Sequence, residues 1–237
     1  MKIIKHPIEF YAERIATDFG FSLQRWGDGE MGHLLGYMHG KDANGHQYFP
    51  QLQRDLESAL IERLTNPTKF SYQLAMQDLG YRMFEKDWNF LLTDNGSIEP
   101  WHDSTTFLDA IVEIKLQPLI DAINTRNIVM VAPGFLIGHA PFKVATWINV
   151  PEKDCYLSMA QIASDIITVA ACAGDNPLVL LSCGMAAKPI MHRVYDTISN
   201  SMNGSIWDFG SMWDPFAGRK SRSPYMNLPL DYANNYK

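Results

Sequence analysis

The chain has 237 residues, of which 46% are hydrophobic and 19% are charged. This length and composition allow one large domain with a substantial buried core, and we expect a single domain over residues 1–237. The net charge of −6 and the pI of about 5.6 lack the basic excess of a protein that binds nucleic acid non-specifically, although a local basic patch can still lie on an acidic surface.

The three cysteines show no C-x-x-C spacing, so the sequence predicts neither a zinc site nor a disulfide framework. The first residues contain too little apolar sequence for a signal peptide, and no later run approaches the roughly 20 apolar residues that a membrane helix needs. We therefore expect a soluble, cytoplasmic protein without a membrane partner.

Apolar periodicity predicts helices over residues 8–18, 30–39, 52–64, 80–92, 105–123, 160–173 and 184–199. The predicted strands cover residues 21–25, 70–74, 127–132, 177–182 and 205–210, with a further candidate at 154–157. Polar loops are predicted over 42–46 and 93–102. This alternation indicates βαβ units, and hence a Rossmann-like three-layer α/β sandwich with a mostly parallel sheet. The tail over 219–237 is predicted to be irregular, as a lid or partner-binding arm.

The first candidate loop follows the strand predicted at 21–25 and reads Arg25-Trp26-Gly27-Asp28-Gly29-Glu30. Two carboxylates separated by one glycine are a compact site for a divalent cation. The alternative interpretation is a solvated turn, in which glycine supplies a positive φ and Asp28 caps the following helix. Open α/β sheets place ligands at such strand ends, which favours the functional interpretation.

Two further loops carry glycines at predicted strand ends. Gly134 and Gly138 follow the strand at 127–132, where backbone amides could approach a phosphate or ribose or simply form a tight turn. Gly184 follows the strand at 177–182, with Lys188 one turn into the next helix. Lys188 is either a contact to a diphosphate or a solvated helix residue.

The fourth loop is dense in polar groups. It contains two acids, Asp208 and Asp214, followed by Arg219-Lys220-Ser221-Arg222. Buried acids need partners, so a structural knot of salt bridges is one interpretation. The other is that an arginine fork, from Arg219 or Arg222, grips a diphosphate.

These four loops together resemble the GT-D-type glycosyltransferases, in which an aromatic-Gly-Asp-Gly-Glu stretch supplies a D-x-E motif. The resemblance extends from about residue 23 to 225 and depends on the order of the motifs. The chain is similar in particular to bacteriophage-encoded members, which also have counterparts of residues 45–50 and 207–222. Trp26 departs from the commoner Phe or Tyr at its position but leaves the carboxylates unchanged.

The resemblance implies a glycosyltransferase that transfers a hexose or pentose from a nucleotide sugar such as a UDP-sugar. Asp28 and Glu30 would hold Mn²⁺ or Mg²⁺ on the donor diphosphate, where the metal stabilises the leaving group. The expected location is then the cytoplasm, of the host if the gene belongs to a phage. The implied donor-binding residues are Arg25, Gly27, Gly29, Gly134, Gly184, Lys188, Ser221 and Arg222.

The resemblance also implies an acceptor hydroxyl, and transfer with inversion needs a general base. Glu30, Asp208 and Asp214 are candidates, and we favour Asp214 because its loop is the richest in polar groups.

The acceptor is expected to be a hydroxymethylated pyrimidine in phage DNA, contacted by Trp213, Arg219 and Tyr225. A bacterial glycan or glycoprotein is the alternative acceptor. A non-catalytic nucleotide-binding regulatory protein is the alternative of a different class.

Overall fold

The computed structural model describes residues 2–37, 40–41, 45–94, 100–229 and 231–236. Its strands are β1 Ile3–Ile4, β2 Leu23–Trp26, β3 Gln73–Met76, β4 Trp101–Asp103, β5 Ile128–Pro133, β6 Thr146–Val150, β7 Leu178–Leu181 and β8 Ser205–Asp208. Its α-helices are α1 Ile8–Thr17, α2 Asp28–Leu34, α3 Pro50–Thr65, α4 Asp78–Met83, α5 Glu85–Asp94, α6 Thr105–Val112, α7 Gln117–Asn124, α8 Met159–Cys172 and α9 Ala187–Tyr195.

The strands form one sheet in the order β1-β4-β3-β2-β8-β7-β5-β6, and every pairing is parallel. All residues of β5 and β7 are buried, as expected for parallel strands covered on both faces. The predicted Rossmann-like α/β fold with a parallel sheet is therefore confirmed.

Helices cover both faces of the sheet. The first layer consists of α2, α3, α4, α5, α8 and α9, and its buried apolar side chains form one cluster with those of the facing strands. The second layer consists of α1, α6, α7 and the tail, which form a second cluster rich in aromatic rings, including Tyr11, Phe107, Trp207 and Trp213. Burial of these apolar faces is the main force that holds the layers on the sheet.

Four predicted elements were wrong. The helix predicted over 80–92 is two helices, α4 and α5, which are separated at Phe84. Residues 154–157 are not a strand, because Asp154 has a φ of 54° and begins a 3₁₀ turn at Cys155–Ser158. The strand in this region is β6, which lies at the sheet edge and lacks a continuous apolar run. β4 overlaps the end of the loop predicted over 93–102 and pairs with β1 and β3. The helix predicted over 105–123 is two helices, since Ile114 has a φ of 57°.

Parts of some predicted elements lie outside the described residues, namely 38–39 of one helix and 42–44 and 95–99 of two loops. The described part of the tail contains short 3₁₀ helices at Ser223–Asn227 and Tyr232–Tyr236. Tyr225, Leu228 and Tyr232 are buried in the second layer, and the Tyr232 hydroxyl donates to the carbonyl of Ile111 at 2.7 Å. In this conformation the tail packs as part of the domain.

One segment is longer and more apolar than we expect from the sequence, and it matches a membrane helix in length and composition. Cys155–Cys172, which includes α8, is long and apolar enough to cross a membrane by length and composition alone. Ile162, Ala163, Ile166 and Ala170 of this segment pack into the first layer, and 28% of the segment is buried.

Candidate functional site

The connections after the central strands diverge. After β2 the chain enters α2 in the first layer, whereas after β8 it enters the second layer. β2 and β8 are neighbours, and in an open parallel sheet such a divergence leaves a crevice between the two layers at the carboxyl ends of these strands. Ligands of open α/β sheets bind at such a switch point. The residues that line it come from both sides of the sheet.

On the first-layer side, the ammonium of Lys188 lies between two carboxylates. Its Nζ is 2.5 Å from Oε1 of Glu30 and 3.0 Å from Oδ2 of Asp208. The three side chains are 5%, 12% and 1% exposed, respectively. The charged groups thus satisfy one another away from bulk water. Removal of one partner from such a buried pair lowers the free energy of unfolding by about 3–5 kcal/mol.

Local structure fixes each member of this Lys188 cluster. Glu30 is the third residue of α2, and its Oε2 accepts from the amide of Gly27 at 2.9 Å, which caps the helix. Asp208 ends β8, and its Oδ1 accepts from the amide of Gly210 at 3.1 Å. Lys188 lies in the first turn of α9, and its carbonyl accepts from Nε2 of Gln24 at 3.2 Å.

The charges of the cluster follow from these contacts. Burial alone raises the pKa of Glu30, but the ion pair with Lys188 and the backbone amides lower it more, so its pKa lies below the usual 4.5. Burial lowers the pKa of Lys188, and the two carboxylates raise it to a net value above 10.5. Both side chains are therefore charged at neutral pH.

Asp28 differs from Glu30. It is the first residue of α2 and is exposed, and its side chain has no hydrogen bond or ion pair with any described residue. The alternative interpretation of Asp28 as the helix cap does not hold, because the N-cap is Gly27.

A divalent cation would find few protein ligands here. In the described part of the chain, no group of three or more His, Cys, Asp or Glu side chains could hold a metal ion. The available oxygens are those of the exposed carboxylate of Asp28, because Oδ2 of Asp208 lies 3.0 Å from the ammonium of Lys188. Such a donor set fits Mg²⁺ or Mn²⁺ only if a bound diphosphate completes the coordination, which is usual for Mg²⁺.

On the second-layer side, Arg25 projects from β2 toward the loop after β8. Its Nη1 donates to the carbonyl of Phe209, and a Cβ at Gly210 would lie 3.6 Å from the same nitrogen. Gly210 has a φ of 55°, so the backbone conformation here favours glycine, whereas a Cβ would make only an ordinary contact with Arg25. Nearby, Nε of Arg222 donates to Oγ of Ser211 at 3.0 Å.

Asp214 is the titratable group of this side. It begins the 3₁₀ helix Asp214–Ala217 and is 7% exposed. Burial raises its pKa to about 6, although a hydrogen bond with Ser221 and the charges of Arg222 and Arg219 act in the opposite direction. A carboxyl with such a pKa exchanges its proton near neutral pH, which suits a general base.

Two buried polar atoms lie without a hydrogen-bond partner among the described residues at the ends of the strands that flank β8. They are Nε of Arg25 in β2 and Oγ of Ser182 just after β7. Unsatisfied buried groups are uncommon and each costs about 1–3 kcal/mol. Their grouping at the switch point indicates a place for a polar ligand.

The predicted glycines line this edge. Gly184 has a φ of 61°, and a Cβ there would lie 3.8 Å from the ring of His46. Gly134 lies against Asn149, whose Oδ1 would be 3.2 Å from its Cβ, whereas Gly29 and Gly27 flank Asp28. His46, whose Nδ1 accepts from the amide of Asp154 at 3.2 Å, was not among the predicted site residues. Its sequence neighbourhood offered no spacing that indicates a ligand.

The residues predicted to bind the acceptor are engaged elsewhere. Trp213 is fully buried and packs edge-on against Phe142 and Phe209, so neither ring face is open to a base. Tyr225 is 4% exposed. Arg219 forms an ion pair with Glu152. Lys188, predicted to contact phosphate, is enclosed by the two carboxylates instead.

No protein-family model and no curated protein sequence matches this chain. Three solved structures do, and each covers 90% of the chain. A structure of domain of unknown function 1792 (DUF1792), described as having a distinct glycosyltransferase fold, is 16% identical with a TM-score of 0.62 over 79% of its length. A selenomethionine form of DUF1792 is 16% identical, with a TM-score of 0.63 over 79% of its length.

A protein described as a new glycosyltransferase (DUF1792) from Streptococcus sanguinis is 14% identical with a TM-score of 0.63 over 82% of its length. At these identities the likeness concerns the fold. The chain therefore has the glycosyltransferase fold of the DUF1792 domains, as the resemblance implied. The likeness to phage-encoded members stays a prediction.

Proposed function

We propose that the protein is a glycosyltransferase that uses a nucleotide-sugar donor. The observation that carries this proposal is the convergence, at the switch point of a glycosyltransferase fold, of Asp28, the Lys188 cluster and the unsatisfied polar atoms of Arg25 and Ser182. Acidic and basic groups at one sheet edge are what a diphosphate with a cation requires.

In this proposal the donor diphosphate lies between the two layers. Arg25 and Arg222 supply positive charge on the second-layer side, and the glycines at positions 27, 29, 134 and 184 allow close approach of the backbone. Mn²⁺ or Mg²⁺, held by Asp28 and the diphosphate, would stabilise the charge of the leaving group. Glu30 lines the same crevice as part of the Lys188 cluster.

Asp214 is the proposed general base. Above a pH of about 6 its carboxylate is ionised and can accept the proton of the acceptor hydroxyl. Ser221, which shares a hydrogen bond with it, orients the carboxylate. If the role is right, kcat/KM rises as the pH increases through about 6 and then levels off.

The structure favours a glycan or glycoprotein acceptor over DNA. The DNA interpretation depended on Trp213 and Tyr225 as stacking platforms and on Arg219 as a phosphate contact. Both rings are buried and the guanidinium is paired with Glu152, so the contacts that DNA needs are not presented.

The donor is identified by thermal shift with UDP-, GDP- and CMP-sugars, with and without Mn²⁺, because a ligand of the native state raises the melting temperature. The hit is then tested for hydrolysis and transfer. Asp28→Asn, at an exposed position, should lose the Mn²⁺-dependent shift, which would assign that shift to the proposed site. Absence of hydrolysis and transfer with every donor would contradict the proposal.

Acceptors are compared by mass spectrometry in parallel reactions that contain oligosaccharides or hydroxymethylated DNA. Product on the oligosaccharide supports the proposed acceptor, and product on nucleosides supports the DNA alternative. Nucleotide binding that depends neither on Mn²⁺ nor on the carboxylate of Asp28 would instead indicate a non-catalytic nucleotide-binding regulatory protein.

A further inference from the structure

We propose that Lys188 is a positioning residue that fixes the carboxylates of Glu30 and Asp208, and that Asp28 alone of the acidic pair faces the ligand. The assignment of Asp28 rests on the proposed function. The positioning role of Lys188 rests on the geometry of the cluster and is tested separately.

The environment of Lys188 explains why it does not contact the donor directly. Its side chain is 5% exposed, and its ammonium lies 2.5 Å from one carboxylate and 3.0 Å from the other. An ammonium has three donors in all, so most of its capacity is used inside the protein. A diphosphate in the crevice would have to displace a buried carboxylate to reach it.

Glu30 is engaged through both oxygens. Oε1 accepts from Lys188 and Oε2 accepts from the amide of Gly27 at 2.9 Å. A divalent cation on this carboxylate would lie beside the ammonium, and like charges at short range repel strongly in a poorly solvated site. Asp28 is exposed at the start of α2, so its carboxylate is accessible to a ligand at this sheet edge.

The cluster also joins separate parts of the chain. Lys188 and Glu30 are 158 positions apart in sequence, and they connect α9 to α2 while Asp208 connects both to β8. Fixing these three elements fixes the walls of the crevice and the start of α2, where Asp28 lies. Lys188 therefore positions the ligand-facing carboxylate without contacting the ligand.

The positioning role is tested by thermal unfolding of Lys188→Met, Glu30→Gln and the double variant. Lys188→Met leaves two buried carboxylates without a counter-charge and should lower the Tm by about 10 °C. The double variant removes one of those carboxylates and should recover part of this loss. Additive shifts would overturn the proposal. If Lys188→Met does not fold, recovery of folding in the double variant supports it, and Glu30→Gln with an unchanged Tm overturns it.

The role of Asp28 is tested by electron paramagnetic resonance of free Mn²⁺ titrated with protein and UDP. Asp28→Asn should weaken Mn²⁺ binding by about tenfold or more without changing the Tm. Glu30→Gln and Lys188→Met, which disturb only the position of Asp28, should lower the Tm and weaken Mn²⁺ binding by a smaller factor. Equal weakening by Asp28→Asn and Glu30→Gln would overturn the assignment of Asp28.

If the wild-type protein binds no Mn²⁺ with UDP, GDP or CMP, the proposed function and the assignment of Asp28 both fail. The unfolding experiments still decide the positioning role of Lys188, so the two failures are distinguishable.

Discussion

Arg219 and Glu152 form a two-point ion pair, in which Nη1 and Nη2 each lie 3.0 Å from a different carboxylate oxygen. The guanidinium also lies over the ring of Phe135, 3.6 Å from its centroid. These contacts join the tail to the segments that follow β5 and β6. Both charged side chains are about half exposed, so water screens the pair.

Because of this screening, Arg219→Ala should lower the free energy of unfolding by about 1 kcal/mol or less. Urea denaturation measures the change, and the difference from wild type should shrink in high salt. Lys220→Ala is the matched control, since the neighbouring Lys220 donates to the carbonyl of Met226 within the tail. A loss of several kcal/mol would show that the tail contributes more to stability than its exposed contacts indicate.

Ser182→Ala separates a ligand contact from a structural role. The Ser182 hydroxyl is buried without a hydrogen-bond partner among the described residues, so its removal should leave the free energy of unfolding unchanged or raise it slightly. If the hydroxyl faces the donor, the KM for the nucleotide sugar should rise several-fold.

Ser205→Ala is the control for Ser182→Ala. The Ser205 hydroxyl donates to the carbonyl of Phe19 at 2.8 Å and its loss should cost about 1 kcal/mol of stability. An unchanged donor KM in Ser182→Ala, with stability lowered, would contradict the ligand contact.

Asp214→Asn should stabilise the protein above pH 6 while it abolishes transfer. Burial raises the pKa of this carboxyl from 3.8 to about 6, so the folded protein binds more protons than the unfolded chain between these values. Ionisation above pH 6 therefore costs stability, and the neutral amide avoids about 1–3 kcal/mol of this cost.

Chemical denaturation at pH 8 measures this gain. Asp231→Asn, at an exposed position, is the control and should change stability by less than about 0.5 kcal/mol. Lower stability in Asp214→Asn would mean that the ionised carboxylate is better compensated than its burial indicates. Full transfer activity would exclude Asp214 as the base.

His102 should make the protein less stable in mild acid. Burial lowers its pKa from 6.5 to about 4, and the charges of His6 and Arg14 act in the same direction. As the pH falls, His102 is therefore protonated in the unfolded chain before it is protonated in the folded protein. The stability that neutral His102 contributes is fully present above about pH 6.5 and is lost as the pH falls to 4. The loss amounts to about 3 kcal/mol.

Asp214 contributes with the opposite sign between pH 4 and 6, so the informative comparison is between wild type and His102→Gln. The variant should show a smaller fall in the free energy of unfolding between pH 6.5 and 4, measured in guanidinium chloride. Parallel curves would show that the neutral imidazole of His102, held 3.1 Å from the Tyr11 hydroxyl, does not govern the acid response.

The sequence was most informative where one short stretch decides the structure. The apolar runs of β5 and β7 predicted buried parallel strands, and their polar and glycine-rich ends predicted the sheet edge that carries the candidate site. The position of Asp28 directly after β2 followed from the same reasoning, because strand ends of a parallel sheet share one edge.

Interactions between distant residues could not be read in this way. The partners of Lys188 come from positions 158 residues earlier and 20 residues later, and nothing local distinguishes it from a solvated lysine of a helix. Trp213 looked available because its loop is polar, but the loop folds its indole inward among aromatic rings. β4 and β6 were not predicted, because they are strands through pairing with neighbouring strands and not through their own composition.

The position of β8 in the sheet has a consequence for synthesis. It is the last described strand in chain order, yet it lies in the middle and joins β1-β4-β3-β2 to β7-β5-β6. While residues beyond about 204 are still inside the ribosome, the two half-sheets emerge with unpaired inner edges, which are prone to mispairing. The crevice is completed only when this strand inserts, so the nascent chain gains its candidate catalytic centre and its stable sheet in one late step.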